Sequence, residues 1–269
     1  MTSPPDPLVR VSTTHGVTTL TLDSPHNRNA LSSVLLGQLL DALGAAAADD
    51  DVRVVVLSHT GPVFSSGADL KETAAAYREG TVPVAMLGDV LAAIWECPKP
   101  VVARVGGPVR AGGLGLVAAA DIAICAQEAT FAFTEVRLGV IPAVISATVL
   151  PRLQPRAAAE LYLTGDTFDG RRAAEIGLVT TVTTAEALDE TVASYCLALV
   201  RGAPGALAGA KELLRAAGGR RYDASAESFR ADLARLRDLS VRYFHSEEGR
   251  EGVTAFGEKR AARWVPPGS

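Results

Sequence analysis

The segment VRVVVLSH, residues 52–59, constrains the fold of this chain more than any other. Its run of apolar and β-branched residues lacks the alternation of a strand with one wet face, so it predicts a strand buried on both sides. The segments that follow predict a helix over residues 82–96, the strand PVVARV, a short helix after Gly112 and the strand DIAICA. Strands and helices therefore alternate, which is typical of an α/β fold.

Two kinds of segment flank this alternation. VSTTHGVTTLTL near the N-terminus predicts a hairpin that turns at His15 and Gly16. Ser32 then predicts the N-cap of an amphipathic helix, whose apolar residues are Val34, Leu35, Leu39, Leu40 and Leu43. From Pro155 onward the pattern favours helices, with LVTTVT as the exception, and from Ala203 to the end it is almost wholly helical.

Composition narrows the classes of function. The chain has 269 residues, of which 48% are hydrophobic, and a formal net charge of −4 without any block of like charge. These values predict a large core and argue against a nucleic-acid partner. No apolar window approaches a membrane span and the N-terminus resembles no signal peptide, so we expect a cytoplasmic protein without a membrane partner. Cys97, Cys125 and Cys196 are expected to be reduced and buried.

The glycines of AGGLGLVAAAD, residues 111–121, raise the question of a phosphate site. Gly113, Gly115 and Ala118 match G-x-G-x-x-A, but the helix after them is too short for the crossover of a dinucleotide fold, and no P-loop Lys follows. FSSGADLKE, residues 64–72, also ends in small residues and begins a helix. Two helix N-termini expose free N–H groups. If the two converge, they form an oxyanion hole.

Four segments in register carry a family resemblance: LDSPHNRNALS, VRVVVLSHTGPVFSSGADLKE, PVVARVGGPVRAGGLGLVAAADIAI and FAFTEVRLGVIPA. In order and spacing they resemble the crotonase superfamily, the enoyl-CoA hydratases and isomerases. The N-terminal segment MTSPPDPLVR predicts a disordered N-terminus at residues 1–7. The resemblance implies a spiral of ββα units at residues 8–200, and a helical region at 201–269 that covers the active site and forms trimers. It also implies an acyl-CoA thioester as substrate and assembly into a homotrimer or hexamer.

The resemblance also implies roles for individual residues. The backbone N–H groups of Ala68 and Gly112 match the oxyanion donors, and Glu135 matches a catalytic acid/base. Coenzyme A, as part of the substrate, is expected along the backbone of Arg28, Ala30, Ser66, Ala68 and Leu70. Arg28 and Lys71 would face its phosphates, with an ordinary solvated surface charge as the alternative. Asp69, Gly113 and Gly115 complete the expected binding segments, and a helix cap is the alternative role for Asp69.

Gly115 departs from the pattern of hydratases that use two carboxylates, because the second glutamate of those enzymes matches this position. We therefore predict hydration of a 2-enoyl-CoA by Glu135 alone, and bulkier substrates that use the room at Gly115. EVRLGVIPAVIS is most similar to hydratases of branched or carboxylated enoyl-CoAs, near the methylglutaconyl-CoA type. An enoyl-CoA isomerase and an acyl-CoA-binding protein without activity remain alternatives.

The remaining candidates have ordinary structural interpretations. The four histidines lack metal-ligand spacing, so no metal and no separate cofactor are expected. Ser65 and Ser66 lack a nearby His or Asp of hydrolase type. For Asp121, as for Asp69, a helix cap or a structural ion-pair partner is the expected role. Trp95 and Met86 are expected to pack in the core, with a place in the acyl pocket as the alternative.

Overall fold

A six-stranded sheet forms the centre of the computed structural model, which describes residues 7–69, 71–73, 85–218 and 226–263. Its spatial order is β1-β2-β3-β4-β6-β9. The strands of this sheet are β1 (Val9–Thr14), β2 (Val17–Leu22), β3 (Val54–His59), β4 (Val101–Val105), β6 (Ile122–Ala126) and β9 (Thr181–Thr183). A second sheet has the order β5-β7-β8, formed by β5 (Val109–Arg110), β7 (Thr130–Ala132) and β8 (Phe168–Asp169).

Burial explains the topology of the main sheet. All six residues of β3 are buried, and the strand pairs in parallel with β2 and β4. The predicted doubly covered strand is thus confirmed. β1 and β2 form the predicted antiparallel hairpin, in which His15 and Gly16 turn at φ values of 50° and 77°. The three-stranded sheet was not predicted, since strands of two or three residues have no readable periodicity.

The helices cover both faces of the sheet. They are α1 (Ser33–Ala48), α2 (Ala85–Glu96), α3 (Gly112–Ala119), α4 (Ser146–Val149), α5 (Pro155–Thr164), α6 (Gly170–Glu175), α7 (Leu188–Val200), α8 (Pro204–Gly218), α9 (Ala226–Phe244) and α10 (Glu247–Gly257). Ser32 caps α1 as predicted, since its side chain accepts the Leu35 N–H. Residues 82–84 of the predicted second helix lie outside the described part of the chain, as do Leu70 and residues 1–6 of the predicted disordered N-terminus.

The C-terminal helices are anchored to the core by a buried ion pair and an aromatic pair. The ammonium of Lys211 on α8 lies 2.5 Å from the Asp121 carboxylate, and Lys211 is only 5% exposed. This confirms the structural role predicted for Asp121. Trp95 of α2 stacks on Phe229 of α9 at 5.0 Å between ring centroids, and Met86 packs partly buried against the main core. Both therefore belong to the core, as expected.

Two further observations concern the chain as a whole. Cys97, Cys125 and Cys196 are buried and unbridged, as predicted. Among the described residues, no single helix has both the length and the apolar character to cross a membrane, and α7 with α8 meets that test only as a pair bent by 107°.

Candidate active site

A cavity of about 910 Å³ opens between the main sheet's helices and the C-terminal helices. Three residues predicted for catalysis line it: Ala68, Gly112 and Glu135. They come from three separate places in the chain: the loop after β3, the start of α3, and a 3-10 helix at Thr134–Leu138. The fold thus brings these three residues to one cavity.

A buried polar network fixes the segment that carries Ala68. The Asn29 side chain donates to the carbonyls of Thr60 and Val63 at 3.0 and 2.7 Å. The Ser65 hydroxyl donates to the Asn29 carbonyl at 2.9 Å and accepts the Gly67 N–H at 3.2 Å. Asn29 and Ser65 are both 0% exposed. Ser65 therefore orients the backbone before Ala68 and is not placed as a nucleophile.

The two expected oxyanion donors lie on backbone segments in direct contact. A Cβ at Gly67 would lie 2.9 Å from the Cβ of Ala111, which is closer than side chains pack, so only glycine permits this approach. Ala111 itself has φ 46° and ψ −119°, a strained conformation for alanine, immediately before Gly112. Within the described residues, neither the Ala68 nor the Gly112 N–H has a protein acceptor. Both amides are thus available to a ligand in the cavity.

Glu135 supplies the carboxylate of the cavity. Its Oε2 atom is buried and has no hydrogen-bond partner among the described residues, while the residue as a whole is half-buried because one side lines the cavity. Desolvation raises the pKa of this carboxyl from 4.5 to about 7. Val140 N–H donates to the Glu135 carbonyl at 3.1 Å, which closes the 3-10 helix behind it. A carboxyl with this pKa exchanges protons readily near neutral pH.

Most of the residues expected to hold coenzyme A also line the cavity. Arg28, Ala30, Ser66, Asp69 and Lys71 all contribute to its wall. Arg28 and Lys71 are exposed at the rim, and the exposed His26, not predicted, lies beside them. Asp69 accepts the N–H groups of Lys71 and Glu72 at 2.9 and 3.1 Å, so it is a helix cap.

Gly113 and Gly115 are not placed on the cavity wall, which corrects two of the predicted binding residues. A Cβ at Gly113 would lie 2.9 Å from Ser65 Cβ, and one at Gly115 would lie 2.6 Å from Ile145 Cγ2 and 3.3 Å from Leu91 Cδ2. Both glycines are buried in the interior of α3. The space expected beside Gly115 is filled by Ile145, so the argument that this space accepts a bulky acyl branch was wrong.

The sequence did not identify the other wall of the cavity. It consists of residues at the end of the 3-10 helix, after it, and on α9 and α10, among them Leu138, Val140, Ile141, Pro142, Val144, Phe244, Val253 and Phe256. The only available signal was the apolar face of the C-terminal helices, which the resemblance associated with a cover for the site. Arg260 also lines the cavity, and its guanidinium pairs with Glu251 at 2.7 Å.

Comparisons with known proteins show the family and the fold of this chain. Residues 12–266 match the family model for enoyl-CoA hydratase/isomerase. The crystal structure of an enoyl-CoA hydratase from Mycobacterium avium superposes with a TM-score of 0.84 at 45% identity, covering 97% of this chain and 100% of that one. The enoyl-CoA hydratase structure from Mycobacterium smegmatis gives a TM-score of 0.75 at 33% identity, with 96% and 99% covered.

A curated relative, the carnitinyl-CoA dehydratase of Citrobacter koseri, is 33% identical over 263 residues and covers 94% of this chain and 96% of its own length. The fold and these matches define a crotonase-type enzyme. This chain belongs to the enoyl-CoA hydratase/isomerase family, which the sequence resemblance predicted.

Proposed function

We propose that the protein hydrates a 2-enoyl-CoA to a 3-hydroxyacyl-CoA, with Glu135 as the one acid/base and the amides of Ala68 and Gly112 as the oxyanion hole. The observation that carries the proposal is that Glu135 lines the same cavity as Ala68 and Gly112: among the described residues, its buried Oε2 has no hydrogen-bond partner and their two backbone N–H groups have no acceptor. The wall residues that surround Glu135 favour an apolar acyl group.

The proposed reaction has two proton transfers. Glu135 accepts a proton from water as the oxygen bonds to C3 of the enoyl group, and the electron pair of the double bond moves toward the thioester, whose oxygen becomes negative. Ala68 and Gly112 donate hydrogen bonds to that oxygen. Glu135 then returns its proton to C2, which regenerates the carboxylate and leaves the hydroxyl on C3. Each amide of such a pair typically lowers the barrier by about 3 to 4 kcal/mol.

The substrate's coenzyme A would lie along the rim residues. Arg28 and Lys71 offer two cations to phosphate groups, and the exposed His26 adds a third donor. Asp69 lies on the same wall and caps the helix that follows it. This arrangement gives the thioester one orientation, with its acyl group directed toward Glu135.

A substrate panel tests the proposal. Purified protein is given straight-chain and branched 2-enoyl-CoAs, and the loss of the conjugated thioester absorbance is followed with product identification by mass. We expect loss of absorbance with a mass gain of one water. Absence of turnover on every 2-enoyl-CoA, together with tight binding, would instead identify an acyl-CoA-binding protein.

An isomerase is the second candidate, and the packing of α3 favours it. Ile145, which lines the cavity, fills the space next to Gly115, so this position brings hydrocarbon and no second carboxylate to the site. A single carboxylate suffices to move a proton between C2 and C4 of an enoyl chain. Supplying a 3-enoyl-CoA distinguishes the two reactions, because isomerisation generates the conjugated absorbance without any change of mass.

We propose in addition that the protein assembles as a homotrimer or hexamer. Leu213 and Leu214 on α8 are 73% and 72% exposed, which is unusual for two adjacent leucines. Light scattering coupled to gel filtration measures the assembly directly. Leu213→Asp with Leu214→Asp is expected to shift the mass toward that of the monomer, and an unchanged mass would place the interface elsewhere.

A further inference from the structure

We propose that Gly252 of α10 is a positioning residue for Glu135: helix α10 rests with its bare backbone on the 3-10 helix that carries the catalytic carboxyl, and holds it in place. This goes beyond the proposed function, because it assigns a role in the chemistry to a residue of the C-terminal region that contributes no side chain. The kinetic part rests on the proposed function, whereas the titration described below does not.

Two glycines interlock where α10 meets the catalytic segment. A Cβ at Gly252 would overlap the carbonyl oxygen of Leu138 and lie 3.0 Å from Leu138 Cα. From the other side, a Cβ at Gly139 would overlap the carbonyl oxygen of Glu248 and lie 3.0 Å from the Gly249 nitrogen. The atoms in conflict are backbone atoms on both sides, so no rotamer change could relieve them. Only glycine at both positions allows this approach.

The contact lies directly behind Glu135. Leu138 is the last residue of the 3-10 helix Thr134–Leu138, and Gly139 caps it at φ 70° with its N–H donating to the carbonyls of Glu135 and Val136. Val140 N–H also donates to the Glu135 carbonyl. Because these hydrogen bonds join Leu138 and Glu135 in one turn of backbone, a displacement of Leu138 also displaces Glu135.

The same helix seals the cavity next to the carboxyl. Gly249, Gly252 and Ala255 form the buried face of α10, while Gly252, Val253, Ala255 and Phe256 line the cavity. Glu135 lines this cavity too, and its Oε2 atom is buried without a hydrogen-bond partner in the described part of the chain. If α10 lifts from the 3-10 helix, water reaches that oxygen, and the geometry and the hydration of the carboxyl change together.

The charged side chains of the elements packed around Glu135 are either paired with one another or exposed. In the elements packed on its 3-10 helix, Arg137 pairs with Asp166, Glu160 with Arg172, and Glu251 with Arg260. The other charged residues of α5, α9 and α10 near the site are exposed: Arg156, Arg237, Asp238, Arg242, Glu247, Glu248 and Arg250. Across the cavity lie His26, Arg28, Asp69, Lys71, Glu72 and Arg110, and His245 lies at the corner between α9 and α10.

The test compares two glycine-to-alanine variants of one helix. Gly252→Ala forces α10 off Leu138, whereas Gly257→Ala is the matched control, because a Cβ at Gly257 meets nothing within 4 Å. We expect Gly252→Ala to lower kcat by about 10- to 100-fold with KM nearly unchanged, as a misplaced catalytic group does. Gly257→Ala is expected to keep the wild-type kcat.

A second readout separates positioning from a general loss of structure. The titration of Glu135 is measured as the difference in proton uptake between each protein and the same protein carrying Glu135→Gln, which cancels His245 and the other groups. We expect a midpoint near 7 in the wild type and in Gly257→Ala, and a midpoint displaced toward 4.5 in Gly252→Ala. An unchanged midpoint and kcat in folded Gly252→Ala, or equal effects of both variants, would overturn the proposal.

If Gly252→Ala does not fold, the unmodified enzyme still tests the proposal. Native-state hydrogen exchange reports local opening amide by amide. We expect the amides of Val140 and of the buried face of α10 to exchange through one shared opening. Independent opening of α10, with Val140 protected throughout, would show that α10 does not hold the catalytic segment. Failure of all enoyl-CoA turnover with a normal titration would overturn the proposed function and leave the contact intact.

Discussion

The two sides of the cavity are built in different ways. On the amide side, α3 is buried along its whole length, and the donors are backbone groups fixed by the Asn29–Ser65 network. On the acid side, Glu135 is a single side chain on a short 3-10 helix none of whose residues is buried, backed by α10. The amide side therefore depends on the core, whereas the acid side depends on a peripheral helix.

The two sides therefore differ in how their contribution to the reaction depends on pH. Backbone amides do not titrate, so the amide side should bind a thioester oxygen equally well at any pH at which the protein is folded. The carboxyl of Glu135 has a pKa near 7, so the acid side changes its protonation state near neutral pH. Breaking each side should therefore leave a different signature on rate, stability and pH dependence.

The largest effect is expected from removing the acid side. Glu135→Gln should lower kcat by about 10²- to 10⁴-fold, because the amide group has almost the same shape and cannot exchange the proton. Binding of an acyl-CoA should persist, since the amide side is unaltered. Steady-state kinetics and calorimetry measure the two quantities, and Glu128→Gln, at an exposed position, is the control. Wild-type kcat in Glu135→Gln would remove Glu135 from the mechanism.

The acid side should also reduce stability in a pH-dependent way. The folded pKa of Glu135 lies near 7 against 4.5 for the free side chain, so the folded state holds its proton more tightly. The contribution of Glu135 to stability is therefore greatest below pH 4.5 and falls as the pH rises through about 7, by about 3 kcal/mol.

Urea unfolding of wild type and Glu135→Gln across this range isolates the effect. As the pH rises from 4.5 to 7, the free energy of unfolding of the wild type should fall relative to that of the variant, and above pH 7 the difference should stay constant. A difference that does not change with pH would show that Glu135 has an ordinary pKa in the folded protein.

The sequence predicted the amide side better than the acid side. The doubly buried strand at residues 52–59, the cap Ser32 and the short helix after Gly112 depend on patterns within a few residues, and the structure confirms all three. Ala68, Gly112 and Glu135 were assigned through the family resemblance, because an isolated Glu or a small residue has no chemical signature of its own.

Contacts between distant segments could not be predicted. Ile145 fills the space beside Gly115, and Gly252 meets Leu138, although each pair is far apart in the sequence. A glycine is compatible with empty space, with a close backbone approach or with a neighbour's side chain, and only the packed structure distinguishes these. The prediction of room at Gly115 was wrong for this reason.

The packing of α3 is tested by filling the space at Gly115. Gly115→Ala places a Cβ 2.6 Å from Ile145 Cγ2, and overpacking of this kind costs about 1 to 3 kcal/mol. Ile145→Val would keep the clashing Cγ2 atom, whereas Ile145→Ala removes it. The rescue variant is therefore Gly115→Ala with Ile145→Ala, and a double-mutant cycle compares it with the two single variants. We expect a favourable coupling energy between the two sites. Gly44→Ala on α1, where a Cβ meets nothing within 4 Å, should instead stabilise the protein slightly.

The smallest expected effect concerns the strained turn before Gly112. Ala111 adopts φ 46° and ψ −119°, which costs a non-glycine residue about 1 to 3 kcal/mol, whereas glycine adopts it freely. Ala111→Gly should therefore raise the free energy of unfolding by about 1 kcal/mol, after the larger chain entropy of glycine in the unfolded state is subtracted. Ala45→Gly, at an exposed position in the last turn of α1, should have the opposite sign, because glycine weakens a regular helix by about 1 kcal/mol. Chemical denaturation of both variants gives the comparison. Destabilisation by Ala111→Gly equal to that by Ala45→Gly would mean that the amide side carries no backbone strain, and that the core alone sets the direction of the Gly112 N–H.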